Sequence, residues 1–247
     1  MRRIRRSFPG LGATLAGLLA ITGCGAAKPT APSDEARHVI DNVLISPGRP
    51  PLAIRVDPAF SYLGRHPIRI RDVAGGERHV FIDAEDGKAK RLVVMQFEGF
   101  LHGVDNQYRY DLSRSPVVAG FPFRSNGFAF DMAESLRQNP SGEAAATHAF
   151  LTARGLEVPR HWMMWRSLTV ADPDRRHELI IFYVEDAQSH DLTIDDLYQD
   201  DQETEVWLNL QRQLETAANR VFELAPLNDA GKPRRGSWVS IPIRPMR

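Results

Sequence analysis

The chain has 247 residues, with 31 Lys and Arg against 31 Asp and Glu, eight histidines and one cysteine. A single cysteine excludes an internal disulfide framework, and a charge balance without basic excess argues against a nucleic-acid binder, which needs clustered cations to neutralise phosphates. With 43% hydrophobic residues, the chain is long enough for one domain with a sizeable core.

The first element is a segment of export type. Arg2, Arg3, Arg5 and Arg6 form a basic head, Pro9-Gly10 breaks the chain, and residues 11–21 are an uncharged, mostly apolar run. Eleven residues are too few to span a bilayer, which takes about 20, but they suit the hydrophobic region of a signal peptide, which takes about 7 to 15. The run ends in Ile21-Thr22-Gly23-Cys24. This resembles the lipobox of bacterial lipoproteins, in which an aliphatic residue and two small residues precede a cysteine; Ile21 stands where leucine is commoner. The resemblance implies that the Cys24 thiol receives a diacylglyceryl group, that residues 1–23 are cleaved, and that the new amino terminus is acylated. It covers only the first 24 residues and implies nothing about fold. Arg5-Arg6-Ser7-Phe8 resembles part of a twin-arginine signal, with Pro9 and Gly10 departing from it. Gly25, rather than aspartate, resembles the pattern sent on to the outer membrane in Gram-negative hosts. The expected location is therefore a lipid anchor at the periplasmic face of that membrane.

Residues 24–36 have two prolines, four alanines and no large apolar side chain, so they read as a tether. The remaining 37–247 read as a single domain. Without the four arginines of residues 1–23, 27 basic residues stand against 31 acidic ones, a net charge of −4.

Within the domain, strands come first. Residues 39–45 and 51–56 are short candidates, and Ile68 and Ile70 alternate with Arg69 and Arg71, as in a half-buried strand. Asp86-Gly87 separates two apolar runs and signals a tight hairpin, because glycine takes a positive φ without steric cost. Ser141 can cap a helix over residues 143–154, with Ala145, His148, Ala149 and Thr152 on its inner face and Gly155 at its left-handed end. Two more strands are expected at 162–170 and 178–185. Val206, Leu210, Leu214, Ala217, Val221 and Leu224 then keep helical spacing up to Pro226. This order predicts an α+β domain: a largely antiparallel sheet with packed helices, including a long C-terminal amphipathic helix.

The chemical signals are sparse. The chain lacks the G-x-S-x-G, H-E-x-x-H, P-loop and G-x-G-x-x-G patterns, and no pair of histidines has the helical spacing of a zinc site. Nothing in the sequence calls for a cofactor or metal. His102 and Asp105 share a loop and could supply a base and its orienting carboxylate. The carboxylates from Asp191 to Glu205 fit a helix start, with Thr193 and Asp196 as a capping box, better than a calcium loop.

Residues 97–130 are unusually aromatic. Their strand alternation suits a core, but aromatics on loops at the end of a sheet also line apolar ligand sites. Tyr108, Tyr110, Phe121 and Phe123 are the candidate ligand-binding residues, whereas Phe97 and Phe130 are expected in the core. The function expected is a noncatalytic lipoprotein of the cell envelope, held to the membrane by acyl chains on Cys24, that binds an apolar ligand or an envelope protein. The alternative is an anchored enzyme with a histidine–carboxylate site in the loop 101–124.

Overall fold

A computed structural model of the protein describes residues 36–200 and 202–243. The signal segment, Cys24, the tether before Ala36 and the tail 244–247 lie outside the described residues. In chain order, β1 (His38–Ile40) and β2 (Val43–Ser46) form a hairpin whose turn residues Asp41 and Asn42 both have positive φ, the primed-turn geometry that matches strand twist. β3 (Leu52–Val56) follows, then a meander of β4 (Ser61–Ile70), β5 (Ala74–Glu85) and β6 (Lys88–Phe100). Asp86 and Gly87 turn β5 into β6 at φ 50° and 78°, as their dipeptide predicts.

A long connection then carries the small ribbon β7 (Val117–Val118) and β8 (Phe121–Pro122) to β9 (Arg124–Asp131). Helices α1 (Met132–Gln138) and α2 (Glu143–Thr152) precede β10 (His161–Val170) and β11 (His177–Asp186). The chain closes with α3 (Ile194–Leu197), the ribbon β12 (Tyr198–Gln199) and β13 (Gln202–Glu203), α4 (Glu205–Val221) and β14 (Phe222–Pro226).

Two antiparallel sheets result. The larger has the order β4-β5-β6-β11-β10-β9, so a second meander docks beside the first through the β6–β11 pair. The smaller has the order β1-β2-β3-β14. Phe81, Val93, Met95, Leu179 and Ile181 on one face of the large sheet pack against the small sheet and α4, whose Trp207, Leu210, Leu214 and Ala218 point inward. On the opposite face Val80, Leu92, Val94, Ile180 and Phe182 lie under Met132, Phe150 and Leu151 of α1 and α2. Because both faces of β6 and β11 are covered, their central stretches, 92–95 and 179–184, are continuously apolar rather than alternating.

The expected fold class is overturned. The described residues are 44% strand and 20% helix, mostly antiparallel sheet, and the chain does not end in a long helix. The helical stripe breaks at Val221. Phe222-Glu223-Leu224-Ala225-Pro226 instead extends along the open edge of β3, with Leu224 opposite Ile54 and hydrogen-bonded on its other side to Val239. Both conformations bury Leu224, so spacing alone cannot separate them, and the unpaired edge of β3 decides. Val206, expected on the inner stripe, is exposed. In α2 the buried residues are Thr147, Phe150 and Leu151 rather than the stripe through His148, since the larger side chains take the sheet.

Candidate binding site

Polar side chains break the apolar face of the large sheet beneath α2. In β6 the residues directed to this face run Leu92, Val94, Gln96 and Glu98, and β11 answers with Val184, Phe182, Ile180 and Glu178, so Glu98 and Glu178 stand directly opposite each other. They are only 8% and 3% exposed. Two charges so placed repel, and burial penalises each. Burial, reinforced by Glu98, pushes the Glu178 carboxyl up to about 10, so it stays protonated and hydrogen-bonded to its neighbour.

The network continues across the sheet. Gln96 Nε2 donates to Glu98, and Arg78 Nε donates to Gln96 Oε1 at 2.6 Å. Arg78 Nη1 also donates to the Glu143 carbonyl of α2 at 2.8 Å and to Thr147 Oγ1 at 2.7 Å, and that hydroxyl lies 3.3 Å from His66 Nε2. Burial lowers Arg78 to about 10, against the raising effect of Glu143 and Glu98, and it also lowers His66. Gly76 lies opposite Glu98 in β5; a Cβ there would run into the Phe97 carbonyl of β6, so no larger residue fits this register.

The connection after β6 folds over the carboxyl pair. Tyr108, 8% exposed, donates its hydroxyl to Glu98 Oε1 at 2.8 Å, and Tyr110 reaches Glu178. Burial and the carboxyls hold both phenols far above their ordinary range. The rings of Phe100, Tyr108 and Tyr110 follow one another at centroid distances of 4.6 and 6.1 Å. Two arginines of the β10–β11 turn tie the loop backbone. Arg175 donates to the carbonyls of Tyr108 and Tyr110 at 2.8 and 3.0 Å, and Arg176 to those of Val104 and Leu101 at 2.8 and 3.2 Å. In the same turn His177 Nδ1 lies 2.5 Å from Asp172 Oδ2, with Arg49 Nη1 3.3 Å from both ring nitrogens. The ring fits because β6 has Gly99 opposite it, where a Cβ would collide with the imidazole.

The four candidate residues are thus divided between two faces. Tyr108 and Tyr110 close over the carboxyl pair, whereas Phe123 is fully buried and Phe121 partly buried in the core shared with the small sheet and α4. Phe97 is buried there as expected, but Phe130 is only half-buried, on the other face. Beside Tyr110, the β9–β10 flank of that face leaves a half-covered strip of Phe128, Phe130 and Met164. Arg166 borders it, its guanidinium 5.5 Å from the Phe128 ring and donating to Asn126 Oδ1 at 2.9 Å. The strip was hidden in the sequence because the alternation of Phe128 and Phe130 reads equally well as core.

His102 and Asp105 are both exposed. The short histidine–carboxylate contact lies instead at His177 and Asp172, where only their five-residue spacing could have signalled it. Among the described residues no three or more His, Cys, Asp or Glu are grouped so as to hold a metal. Asp196 caps α3, accepting from Thr193 N and Oγ1 at 2.8 and 2.7 Å. Chemically, the site can hold one proton between two carboxyls and present an apolar strip beside a cation. Compared with known protein families, curated proteins and solved structures, the chain matches none.

Proposed function

We propose that this protein is a lipid-anchored cell-envelope protein that works by binding, and that its ligand is a single-chain amphiphile with an anionic head. The observation that carries this reading is the half-covered strip Phe128-Phe130-Met164 beside Arg166. The same face is packed by α1 and α2 through Met132, Phe150 and Leu151, whereas the strip is apolar surface only half covered at one flank, and such surface favours an apolar occupant. Arg166 supplies a cation for the head, and Tyr110 bounds the strip toward the carboxyl pair. An anchored enzyme using the loop 101–124 is the weaker reading, because His102 and Asp105 face solvent.

Titration with a dansylated fatty acid tests the ligand. We expect saturable binding that a Phe128→Ser, Phe130→Ser double variant weakens at least about tenfold, the scale of two lost apolar contacts. Arg166→Gln should weaken the fatty acid more than the corresponding alcohol. Binding that ignores all three changes sinks the proposal. The anchor is tested separately: Cys24→Ala should release the protein from membranes or leave it uncleaved, since two or more acyl chains make a stable anchor. Unchanged fractionation and processing would remove it.

A further inference from the structure

At one end of the half-covered strip stand two arginines, Arg124 and Arg166, brought together by strand register. In the β9–β10 pair Asn126 lies opposite Arg166 and Arg124 opposite Leu168, so the two arginines are diagonal neighbours on one face, with about 7 Å between their Cβ atoms. The contacts fix that face. Arg166 Nε and Nη2 both donate to Asn126 Oδ1, at 3.1 and 2.9 Å, whereas Ser125 meets Ser167 on the other side of the sheet. Along β9 the same face continues from Asn126 to Phe128 and Phe130, whose rings neighbour each other, so the cations head the apolar strip.

Like charges so placed repel. Elsewhere on or beside the large sheet, Arg65 meets Glu77, Arg69 meets Asp72, Arg91 meets Asp83 and Arg160 meets Asp131. Among the described residues Arg166 hydrogen-bonds only to Asn126, and Arg124 to no side chain. The acids within reach of their charge are engaged otherwise. Asp111 accepts from Ser113 N and Oγ at 3.0 and 2.7 Å, bonds that together with the weaker pull of Arg124 hold it below its ordinary range. Glu178 keeps its proton. Burial lowers Arg166, and Arg124 lowers it further against the opposing effect of Tyr110 and Glu178, so the pair is short of negative charge.

Donors remain on the patch. With Nε and Nη2 held by Asn126, Arg166 keeps Nη1; Asn126, whose oxygen takes both of those bonds, keeps Nδ2; and Arg124 keeps its whole guanidinium. A carboxylate brings one charge and two oxygens to such a set. A phosphomonoester brings close to two charges and three terminal oxygens, which match the guanidinium fork.

We infer, building on the proposed binding role of the strip, that its ligand is a phosphomonoester on a single alkyl or acyl chain, with the phosphate between Arg124 and Arg166, Asn126 donating to it, and the chain over Phe128 and Phe130. Arg166 then serves any anionic head, and Arg124 selects the doubly charged one. Free phosphate would leave Phe128, Phe130 and Met164 without an occupant, so the chain is part of what is recognised.

The test uses the chain from residue 24 with Cys24→Ser, which keeps every described contact and has no acyl chain of its own to occupy the strip. Displacement of the dansylated fatty acid is followed at about pH 8, where a phosphomonoester has both its charges. The competitors are dodecyl phosphate, its methyl diester, dodecanoate and inorganic phosphate, with the amphiphiles below their micelle-forming concentrations. We expect dodecyl phosphate to bind at least about tenfold tighter than dodecanoate, the scale of one charge-assisted hydrogen bond. The singly charged diester should match dodecanoate within about threefold, and inorganic phosphate should not displace the probe. Arg124→Gln, at an exposed position, should cut the phosphomonoester's advantage to under about threefold and leave dodecanoate within about twofold of the parent, with an unchanged circular dichroism spectrum. Arg166→Gln should weaken both. A probe that binds but is displaced equally well by dodecyl phosphate and dodecanoate overturns the inference and leaves the proposed function standing, as does an advantage that survives Arg124→Gln. Inorganic phosphate as effective as dodecyl phosphate overturns it too, since the strip would then play no part. A probe that does not bind removes the proposed function and the inference together.

Discussion

On the face of the large sheet that meets the small sheet and α4, apolar side chains fill most central positions, and the buried His79 and Ser167 are hydrogen-bonded to Tyr62 and Ser125; on the opposite face the same strands carry Gln96, Glu98 and Glu178, with two carboxyls side by side, and the β9–β10 flank is only half covered. The carboxyls follow this difference. Glu77, at the rim of the first face, loses solvation by burial, but the His79 ring and the Arg37 guanidinium, both at 3.2 Å, outweigh that loss and hold it at about 2. Glu178, on the second face, meets another carboxyl instead of a cation and is raised to about 10. One face is thus built for stability. The other stores a proton and exposes apolar surface, both of which cost stability and are retained where a site is held.

The largest expected effect is a core truncation on the dry face. Phe123→Ala should cost about 3–5 kcal/mol in denaturant melts, whereas Phe128→Ala on the half-covered strip should cost about 1 kcal/mol or less. Equal losses at the two positions would erase the contrast between the faces. Next in size, Arg78→Met should cost about 2–3 kcal/mol, because Gln96 and Thr147 lose a buried donor and the α2 carbonyl of Glu143 loses one of its donors. A loss under about 0.5 kcal/mol would mean that the network holds without its cation.

Smallest per step is the effect read against pH, one unit at a time. A carboxyl whose folded value is raised contributes stability that is complete below its unfolded value of about 4.5 and is lost as pH rises toward about 10. From about pH 5 to pH 8, Glu178→Gln should therefore gain on the parent by up to about 1.4 kcal/mol per pH unit. Glu77 has the opposite sign: its contribution is present above about 4.5 and lost as pH falls toward about 2, so Glu77→Gln should flatten the acid limb only. Parallel stability curves for Glu178→Gln and the parent would remove the shared proton.

What the sequence determined by itself was local. The basic head, short apolar run and Cys24 are linear features, and the proposed anchor rests on them alone. The turn at Asp86-Gly87 was legible because two adjacent residues suffice to set its backbone, and the strands at 161–170 and 177–186 because an apolar run of that length between turn signals has few alternatives. The tertiary structure decided everything that depends on pairing across the chain. Glu98 and Glu178 are 80 residues apart and meet only because the second meander docks along β6. Leu224 belongs to a strand only because β3 has an edge to offer it. Phe121 and Phe123 part from Tyr108 and Tyr110 because the connection between β6 and β9 passes from one face of the sheet to the other. Periodicity reports that a side chain is buried; which face receives it is set by the neighbours that register brings, and those lie far away in the sequence.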